Sequence, residues 1–419
     1  MERYNPWWKG EPNIGYIKWT KKQLRWVPDI IHSISLKPFA LHFLTGPRQV
    51  GKTTALRILV NQLLEGGREP RSVFYYSCDE LTDHNELGEV LDNYLKARKQ
   101  WGIGSSIILL DEIPFVDEWW RAIKSRVDLG AFEKDVLIVT GSLSLDILKQ
   151  KERFPGRRGN GSDHVLYPLN FRTYAKVVGG LELQEGDIDN LNAAVDANRP
   201  YDRKLRDLLE AYMESGGFPL AIQDKHQYGR VSPETERAYL DWMKGDWNKA
   251  GKSDRYMKEV FSYLCRARGT PVSWNNISTE TSIRSSHTAR SYIETLESMH
   301  AVLVLHKIKP DGQIEYKKNK KIHFTDPFIY RIACNYTGSE YSYEWAVEAV
   351  SAAHLSRIAE TYYWRGKTEC DIVALRDGRQ IGFEITTGVK RWKAPWHLKK
   401  RYLLDKKNVH LYLSGIQGR

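Results

Sequence analysis

The hydrophobic and polar positions in the first 165 residues predict strands that alternate with helices. Four apolar runs have the length of buried strands: Leu41–Leu44, Val73–Asp79, Ile107–Leu110 and Asp135–Val139. Residues 84–100 and 116–130 carry apolar side chains at helical spacing. An aromatic leader, residues 1–40, precedes the first strand; it either stacks on an adenine or, as we favour, covers the core. Alternating strands and helices predict an α/β fold with a parallel sheet.

The segment after the first strand matches the phosphate-binding pattern GxxxxGK[ST] and leads into a stretch compatible with a helix. Gly46 and Gly51 let the backbone turn tightly enough for several N–H groups to face one polyanion. Lys52 supplies a charge for the β- and γ-phosphates, and the Thr53 hydroxyl is a ligand for Mg²⁺. The predicted nucleotide-binding residues are Gly46, Pro47, Arg48, Gln49, Val50, Gly51, Lys52, Thr53 and Thr54. The predicted cofactors are therefore ATP and Mg²⁺.

An acidic pair follows the third predicted strand. Asp111 lies at the carboxyl end of that strand, where parallel sheets hold ligands, and is predicted to hold Mg²⁺ through water. Glu112 is predicted to orient or deprotonate the attacking water. An acidic pair after a strand can also cap the next helix. The nucleotide-site interpretation is favoured because one strand and one helix separate the pair from Lys52.

Two further groups are candidates for contact with the γ-phosphate. The fourth strand runs into Thr140-Gly141-Ser142, whose hydroxyls are suited to bind that phosphate or the water; an ordinary strand-to-helix turn has the same pattern. Arg157 and Arg158 lie in the turn FPGRRG. Taken alone, these arginines indicate a solvated basic turn, with a transition-state role in a neighbouring subunit as the alternative.

The segments GPRQVGKTT, LLDEIP, VTGSLS, FPGRRG and YPLNFRTY resemble the AAA+ ATPases of archaea and bacteria. Within them, the chain is similar to the group whose P-loop core is joined to a winged helix and a C-terminal domain with a restriction-endonuclease-like PD-(D/E)xK core. The resemblance implies a five-stranded parallel sheet, an ATP and Mg²⁺ site at Lys52, Thr53, Asp111 and Glu112, and a sensor at Thr140 or Ser142. It makes Arg157 or Arg158 the candidate trans-acting arginine, and hence implies a homo-oligomer.

The resemblance also divides the chain into four domains. Residues 1–165 are the ATPase core with its leader, 166–235 a helical lid, 236–315 a winged helix-turn-helix and 316–419 the nuclease-like domain.

In the winged helix, Ser285, Ser286 or His287 is expected to cap a helix. That helix is predicted to present Thr288, Arg290 and Tyr292 outward and to face a core with Ala289, Ile293, Leu296 and Leu303. DNA contact is predicted through Arg284, Arg290 and a basic wing, residues 307–321; a protein-docking module with solvated lysines is the alternative.

The C-terminal segment predicts a helix with Glu344, three strands, a basic helix and a final strand at 409–413. Asp371 and Glu384 match the acidic positions of the nuclease pattern, and with Glu344 they are the predicted metal ligands. The lysine expected two residues after Glu384 is replaced by Thr386, although Lys390 is close in sequence. Loss of that cation favours an inactive, DNA- or protein-binding descendant. Pairing of the two acids with nearby lysines or arginines is a further alternative.

Composition changes this picture in two respects. The formal charge of +11 favours an acidic partner such as DNA. Four scattered cysteines suggest neither a disulfide scaffold nor a zinc site, and no apolar run approaches the length of a membrane span, so a soluble cytoplasmic protein is expected. Together these features predict an Mg²⁺-dependent ATPase that couples its nucleotide state to movement of C-terminal modules on DNA. The alternatives are an ATP-regulated nuclease and an ATP-gated switch that recruits a protein partner.

Overall fold

The computed structural model describes residues 1–141, 153–386, 388 and 392–417, and it divides into two compact units. The first unit is Met1–Tyr167 and the second is Pro168–Arg419. Ser142 and Lys390, both named above, lie outside the described residues. None of the helices in the described ranges combines the length and apolar content that crossing a membrane requires.

The first unit alternates strands and helices, as the hydrophobic pattern predicts. Its strands are β1 (Ala40–Thr45), β2 (Val73–Ser77), β3 (Ile107–Asp111), β4 (Val136–Thr140) and β5 (Asp163–Val165). Its helices are α1 (Ile14–Thr20), α2 (Ile30–Ser33), α3 (Lys52–Glu65), α4 (His84–Gln100) and α5 (Trp119–Asp128), with 3-10 turns at Glu2–Tyr4, Pro6–Lys9, Pro70–Ser72 and Ile113–Phe115. The prediction for α4 is confirmed at both ends, and the Asp83 carboxylate caps it by accepting from the N–H of Asn85.

The strands of this unit form a five-stranded sheet in the order β2-β3-β4-β1-β5, and every pairing is parallel. The five-stranded parallel sheet that the resemblance implies is therefore present. Both faces of the sheet are covered by buried side chains, as a parallel sheet requires. In the leader, Trp7 is buried and Trp8 stacks on Phe74 and Tyr94. These two tryptophans cover the core, in line with the favoured interpretation of the leader.

The second unit contains the remaining elements. Its helices are α6 (Phe171–Gly179), α7 (Leu191–Asn198), α8 (Asp202–Ser215), α9 (Pro219–Tyr228), α10 (Pro233–Lys249), α11 (Asp254–Ala267), α12 (Trp274–Thr279), α13 (Ser286–Ser298), α14 (Pro327–Thr337), α15 (Tyr343–Leu355) and α16 (Val409–Gly415), with 3-10 turns at Ile188–Asn190 and Arg199–Tyr201. Its strands are β6 (Val302–Ile308), β7 (Ile314–Glu315), β8 (Lys321–Phe324), β9 (Glu360–Arg365), β10 (Glu369–Arg376), β11 (Arg379–Ile385) and β12 (Lys400–Leu404).

One sheet connects the predicted winged helix with the predicted nuclease-like domain. Its order is β12-β11-β10-β9-β6-β7, with β8 also paired to β6. Strand β10 is antiparallel to both β9 and β11, and β12 is parallel to β11. Strand β6 pairs with β7 and β8 and, through residues 306–307, with β9. The boundary predicted at residue 315 therefore falls within a continuous sheet.

The predicted final strand is wrong, because residues 409–415 form helix α16. This helix packs against α6, α7 and α8, which belong to the predicted lid. Arg172 and Asn198, from that lid segment, hydrogen-bond to Ser414. A short apolar run that is buried on all sides has the same hydrophobic pattern in a strand and in a helix. The pattern of residues 409–413 therefore does not reveal the helix.

The segment predicted to form a helix-turn-helix agrees with the expected capping and burial at most positions. Ser285 caps α13 by accepting from the Thr288 N–H at 3.1 Å, and Ala289, Ile293 and Leu296 are buried. Two positions differ. Tyr292 is buried, because its hydroxyl accepts from the Ser253 N–H at 2.9 Å, and Leu303 is only half-buried.

Candidate functional site

Three neighbouring strands of the first sheet bring the predicted nucleotide-site residues to one edge. Strand β1 ends at Thr45 and leads into the phosphate loop, while Asp111 and Thr140 are the last residues of β3 and β4. Leu44 of β1 pairs in register with Thr140 of β4. The carboxyl ends of parallel strands are where open α/β sheets bind ligands.

The phosphate loop passes through positive φ at three positions. The angle is 146° at Gly46, 59° at Gln49 and 105° at Gly51. Gly46 has a second constraint, because a Cβ there would stand 2.2 Å from the carbonyl oxygen of Leu166. Left-handed residues within a tight turn are the means by which successive N–H groups form an anion-binding concavity. The loop therefore has a backbone form that suits a polyphosphate.

Lys52 opens helix α3 and secures this loop. Its ammonium group donates to the carbonyl oxygens of Gly46 and Pro47, each at 2.9 Å, and its side chain is buried. Thr53, in the first turn of α3, is exposed. The other predicted binding residues differ in burial, with Val50 buried, Arg48 and Thr54 half-buried and Gln49 exposed.

Asp111 is buried and held by two hydroxyl groups. The Thr140 hydroxyl donates to Oδ1, and the Tyr75 hydroxyl donates to Oδ2 at 2.8 Å. The sequence pattern does not single out Tyr75. The feature that could have indicated it is a tyrosine two residues before the end of β2, the strand beside β3. The Arg57 guanidinium lies over the Tyr75 ring at 3.6 Å. Together these contacts fix the direction of the Asp111 carboxyl group.

Glu112 is placed by the same strand ends. Its φ of 53° lies in the left-handed region, which is unusual for a residue with a side chain. Its backbone N–H donates to the Thr140 hydroxyl at 3.3 Å, and its side chain is half-buried. Thr140 therefore connects Asp111 with Glu112 through its hydroxyl group. The sequence pattern predicts this threonine and the acidic pair as separate candidates.

Arg157 and Arg158 are both paired within their own chain. Arg157 forms an ion pair with Asp128, and Arg158 contacts Asp163 at 2.6 Å. Burial of Phe154 and the course of the chain beside β1 position this turn. The role of either arginine in a neighbouring subunit stays a prediction.

A second concentration of charge lies in the second unit, around Lys321. The ammonium group contacts Glu348 Oε1 at 2.7 Å and Asp371 Oδ1 at 2.8 Å. The side chains of Lys321, Glu348 and Asp371 are 10%, 16% and 17% exposed. Asp371 Oδ2 also accepts from the Ile385 N–H at 3.1 Å. Asp371, one of the predicted metal ligands, therefore pairs with a lysine, as one of the alternatives from the sequence expects.

The pKa values of this cluster are shifted by burial and by the neighbouring charges. Burial alone lowers the pKa of Lys321, but Glu348 and Asp371 more than reverse this, so the net shift is upward. Burial raises the pKa of Glu348 to about 7, although Lys321 opposes that shift. A protonated lysine beside two acids is therefore the stable arrangement at neutral pH.

The other two predicted metal ligands, Glu384 and Glu344, differ in burial. Glu384 is buried on β11, and its charge contributes to the raised pKa of Glu348. Glu344 is exposed in the first turn of α15, and the acid of that helix that contacts Lys321 is Glu348. Across the described ranges, no group of three or more His, Cys, Asp or Glu side chains is arranged to hold a metal ion.

The predicted basic wing is less uniform than its sequence suggests. Lys321 lies in the buried cluster, and Lys320 is buried with its ammonium over the Trp274 ring. Lys307 pairs with Glu315 at 3.3 Å. On α13, Arg290 pairs with Glu294, whereas Arg284 just before the helix is exposed. Lys317 and Lys318 of the wing are exposed, whereas Lys309 is half-buried and donates to the Gln313 side chain.

Two sequence families match parts of the chain. The AAA domain family matches residues 39–175, and a family described as a domain of unknown function (DUF8612) matches residues 206–340. No curated protein matches the sequence.

Three solved structures illustrate distant likenesses. The Aeropyrum pernix ORC2 protein in ADPNP–ADP complexes is 12% identical with a TM-score of 0.39, over 71% of this chain and 88% of that one. Cdc6p from Pyrobaculum aerophilum is 14% identical with a TM-score of 0.29, over 74% and 92%. AMPPCP-bound DnaA from Aquifex aeolicus is 14% identical with a TM-score of 0.29, over 64% and 85%. These likenesses are too distant to assign an activity to this chain. The residues that match the AAA domain family, 39–175, include the loop, Asp111 and Thr140 that meet at the sheet edge.

Proposed function

We propose that the AAA domain binds ATP with Mg²⁺ and hydrolyses it. The observation that carries this proposal is the meeting of the phosphate loop, Asp111 and Thr140 at one edge of a parallel sheet. Backbone N–H groups of the loop and the Lys52 ammonium are suited to the phosphates. The Thr53 hydroxyl and Asp111 are suited to hold Mg²⁺, which supplies charge neutralisation at the β- and γ-phosphates.

Catalysis in this proposal depends on Glu112 and on the hydroxyl groups at the end of β4. Glu112 orients or deprotonates the attacking water. Thr140 aligns the site by holding Asp111 and the Glu112 backbone together. Ser142 is the second candidate for a γ-phosphate contact, as the sequence pattern suggests.

Two substitutions test this assignment. Lys52→Ala should abolish ATP binding in isothermal titration, and the exposed-lysine control Lys96→Ala should bind as the unchanged protein does. Glu112→Gln should bind ATP but lose most of its turnover, whereas the exposed control Glu89→Gln should keep it. Tight binding by Lys52→Ala or normal turnover by Glu112→Gln would remove the corresponding role.

We further propose that the nucleotide state controls how the second unit engages DNA, and that this unit does not cleave it. The support is the Lys321 ammonium, which lies against Asp371 and Glu348 where a nuclease would need a divalent ion. A net charge of +11 supports an acidic partner. Metal-dependent cleavage of DNA that Asp371→Asn abolishes would contradict this and restore the nuclease alternative.

The DNA form and the assembly are tested through ATP turnover. Steady-state hydrolysis with single-stranded, duplex and branched DNA should show stimulation by at least one form. Turnover unaffected by any DNA would favour the switch that recruits a protein partner. If Arg157 or Arg158 acts in a neighbouring subunit, mixing an Arg157→Ala/Arg158→Ala variant with Glu112→Gln should restore activity that each lacks alone. Light scattering with a non-hydrolysable ATP analogue measures the oligomer directly.

A further inference from the structure

A short segment of the second unit, residues 392–401, combines side chains that contact the rest of the unit with one exposed aromatic ring. We call it the Trp396 segment. Three of its side chains point into the protein. Leu398 is buried in a cluster with Tyr362 and Cys370, the Trp392 indole N–H donates to the Glu369 carbonyl at 2.9 Å, and the His397 ring meets Trp364 at 4.8 Å.

Trp396 points the other way. It is 86% exposed, whereas each of the other thirteen tryptophans is buried or half-buried in the described structure. Exposing the apolar surface of a tryptophan ring to water is unfavourable. Burial of the ring in the core of the same unit would remove this free-energy cost. Pro395 and Leu398 are buried and Trp392 is half-buried, so the exposure of Trp396 is specific to that position.

Positive charges surround this ring in sequence. Lys393, Lys399, Lys400 and Arg401 are all exposed. In the described residues no ion pair joins any of the four to an acidic side chain; Lys400 instead lies over the Tyr402 ring at 5.7 Å. By contrast, many other exposed cations are paired, as Arg290 is with Glu294. The exposed Trp396 ring is therefore flanked in sequence by four exposed cations that have no acidic partner in the described structure.

We propose that the Trp396 segment binds single-stranded nucleic acid, with Trp396 stacking on a base and cations of the segment contacting phosphates. Base stacking on an exposed aromatic ring beside a positively charged track is how proteins hold unpaired strands without reading their sequence. A duplex offers its phosphates, but its bases are already stacked on each other, so only an unpaired strand uses both parts of the surface. A membrane surface would be held through a broader apolar face than a single ring provides.

The proposed partner is a single strand, and the residues that bind it are distinct from those of the ATP site. It rests on the proposed function only for the expectation of an acidic partner, and it does not require ATP hydrolysis. Failure of the two proposals is therefore distinguishable, because the Lys52→Ala variant should still bind the strand in the absence of nucleotide.

The test is fluorescence anisotropy of the full chain with a labelled oligothymidylate of about 20 nucleotides, long enough to cover one binding surface. Trp396→Ala should weaken binding about 5- to 150-fold, and Trp396→Phe should retain most of it. The control Tyr228→Ala removes another exposed aromatic, 62% exposed on α9, and should leave binding unchanged.

The charge contribution is tested in the same assay. Lys399→Ala/Lys400→Ala should weaken binding and lower the slope of log affinity against log salt by about 1.4, which corresponds to two phosphate contacts on a single strand. Arg203→Ala/Lys204→Ala removes two exposed cations of α8 and should not change the slope.

Two outcomes would overturn the proposal. One is equal affinity of Trp396→Ala and the unchanged protein for the oligonucleotide, with both retaining their circular dichroism spectrum. The other is binding to phosphatidylserine vesicles that Trp396→Ala abolishes, together with no affinity for the oligonucleotide, which would identify a membrane surface instead. A duplex of equal length should bind more weakly than the single strand and be insensitive to Trp396→Ala.

Discussion

Replacement of Lys321 by methionine isolates the contribution of a buried cation to the second unit. The substitution keeps the length and the apolar stem of the side chain and removes the ammonium that contacts Glu348 and Asp371. Because both acids are largely shielded from water, the variant leaves two buried carboxyl groups without that counter-charge. Removal of one partner from a buried ion pair destabilises a protein by about 3–5 kcal/mol.

The expected effect is measurable in the intact chain. A protein with two compact units is expected to unfold in more than one transition, so a local measurement is used to assign the loss to the strands around the cluster. Hydrogen exchange followed by mass spectrometry reports on peptides from β10 and β11, the strands that carry Asp371 and Glu384. A loss of 3 kcal/mol corresponds to roughly 150-fold faster exchange at neutral pH. The control Lys318→Met removes an exposed lysine and should change exchange by less than about twofold.

The pH dependence of the variant provides an independent check on the cause. Burial raises the pKa of Glu348 to about 7, above its ordinary value of 4.5, so protonation of this group favours the folded state. Its contribution is fully present below about pH 4.5 and is lost as pH rises through about 7. The deficit of Lys321→Met should therefore shrink as pH falls from 7.5 to 5. Exchange in β10 and β11 equal to that of the unchanged protein at pH 7.5, or a deficit independent of pH, would refute the reasoning.

Three further predictions concern other parts of the chain. Gly161→Ala should unfold or strongly destabilise the first unit, because its Cβ would stand 2.0 Å from the Leu41 carbonyl oxygen, whereas Gly104→Ala, with open space around it, should be tolerated; urea denaturation of the two variants compares them. Tyr75→Phe should cost the first unit about 1.5–3 kcal/mol, since Asp111 loses a hydroxyl donor at 2.8 Å, and an unchanged urea midpoint would contradict this. Burial raises the pKa of Asp326 to about 6, so its contribution to stability is present below about pH 3.8 and lost as pH rises through 6. Asp326→Asn should therefore flatten the dependence of the second unit's urea midpoint on pH between 4 and 6.5.

The placement of the candidate nucleotide residues at strand ends was predictable because it follows from local patterns. Gly46, Gly51 and Lys52 form one contiguous motif, and the apolar run before Asp111 fixes that residue at a strand end. The contribution of Tyr75 was not predictable in this way. Its hydrogen bond to Asp111 depends on the pairing of β2 with β3, and the hydrophobic pattern indicates neither the partner of a strand nor its register.

In the charged cluster of the second unit, the strands that carry the acids were predictable, but the contacts between the charged side chains were not. The sequence placed Asp371 and Glu384 on neighbouring strands, and both assignments to strands are observed. It predicted Glu344 for the helix, whereas Glu348, one turn later, is the acid that contacts Lys321. The sequence pattern places Lys321 in the predicted basic wing, residues 307–321. Its burial follows from the pairing of β8 with β6, a long-range contact without a local signature.

The sequence by itself therefore determined the α/β class of the first unit, the order in which its strands follow along the chain, and the position of the candidate phosphate loop. These features follow from hydrophobic periodicity and from residues with special backbone or charge properties, which act over a few positions. Only the tertiary structure decided which side chains hold Asp111, that residues 409–415 form a helix, and that Lys321 lies between two acids. Each of these depends on contacts between segments far apart in the chain, where burial and charge pairing override the local preference of the residues.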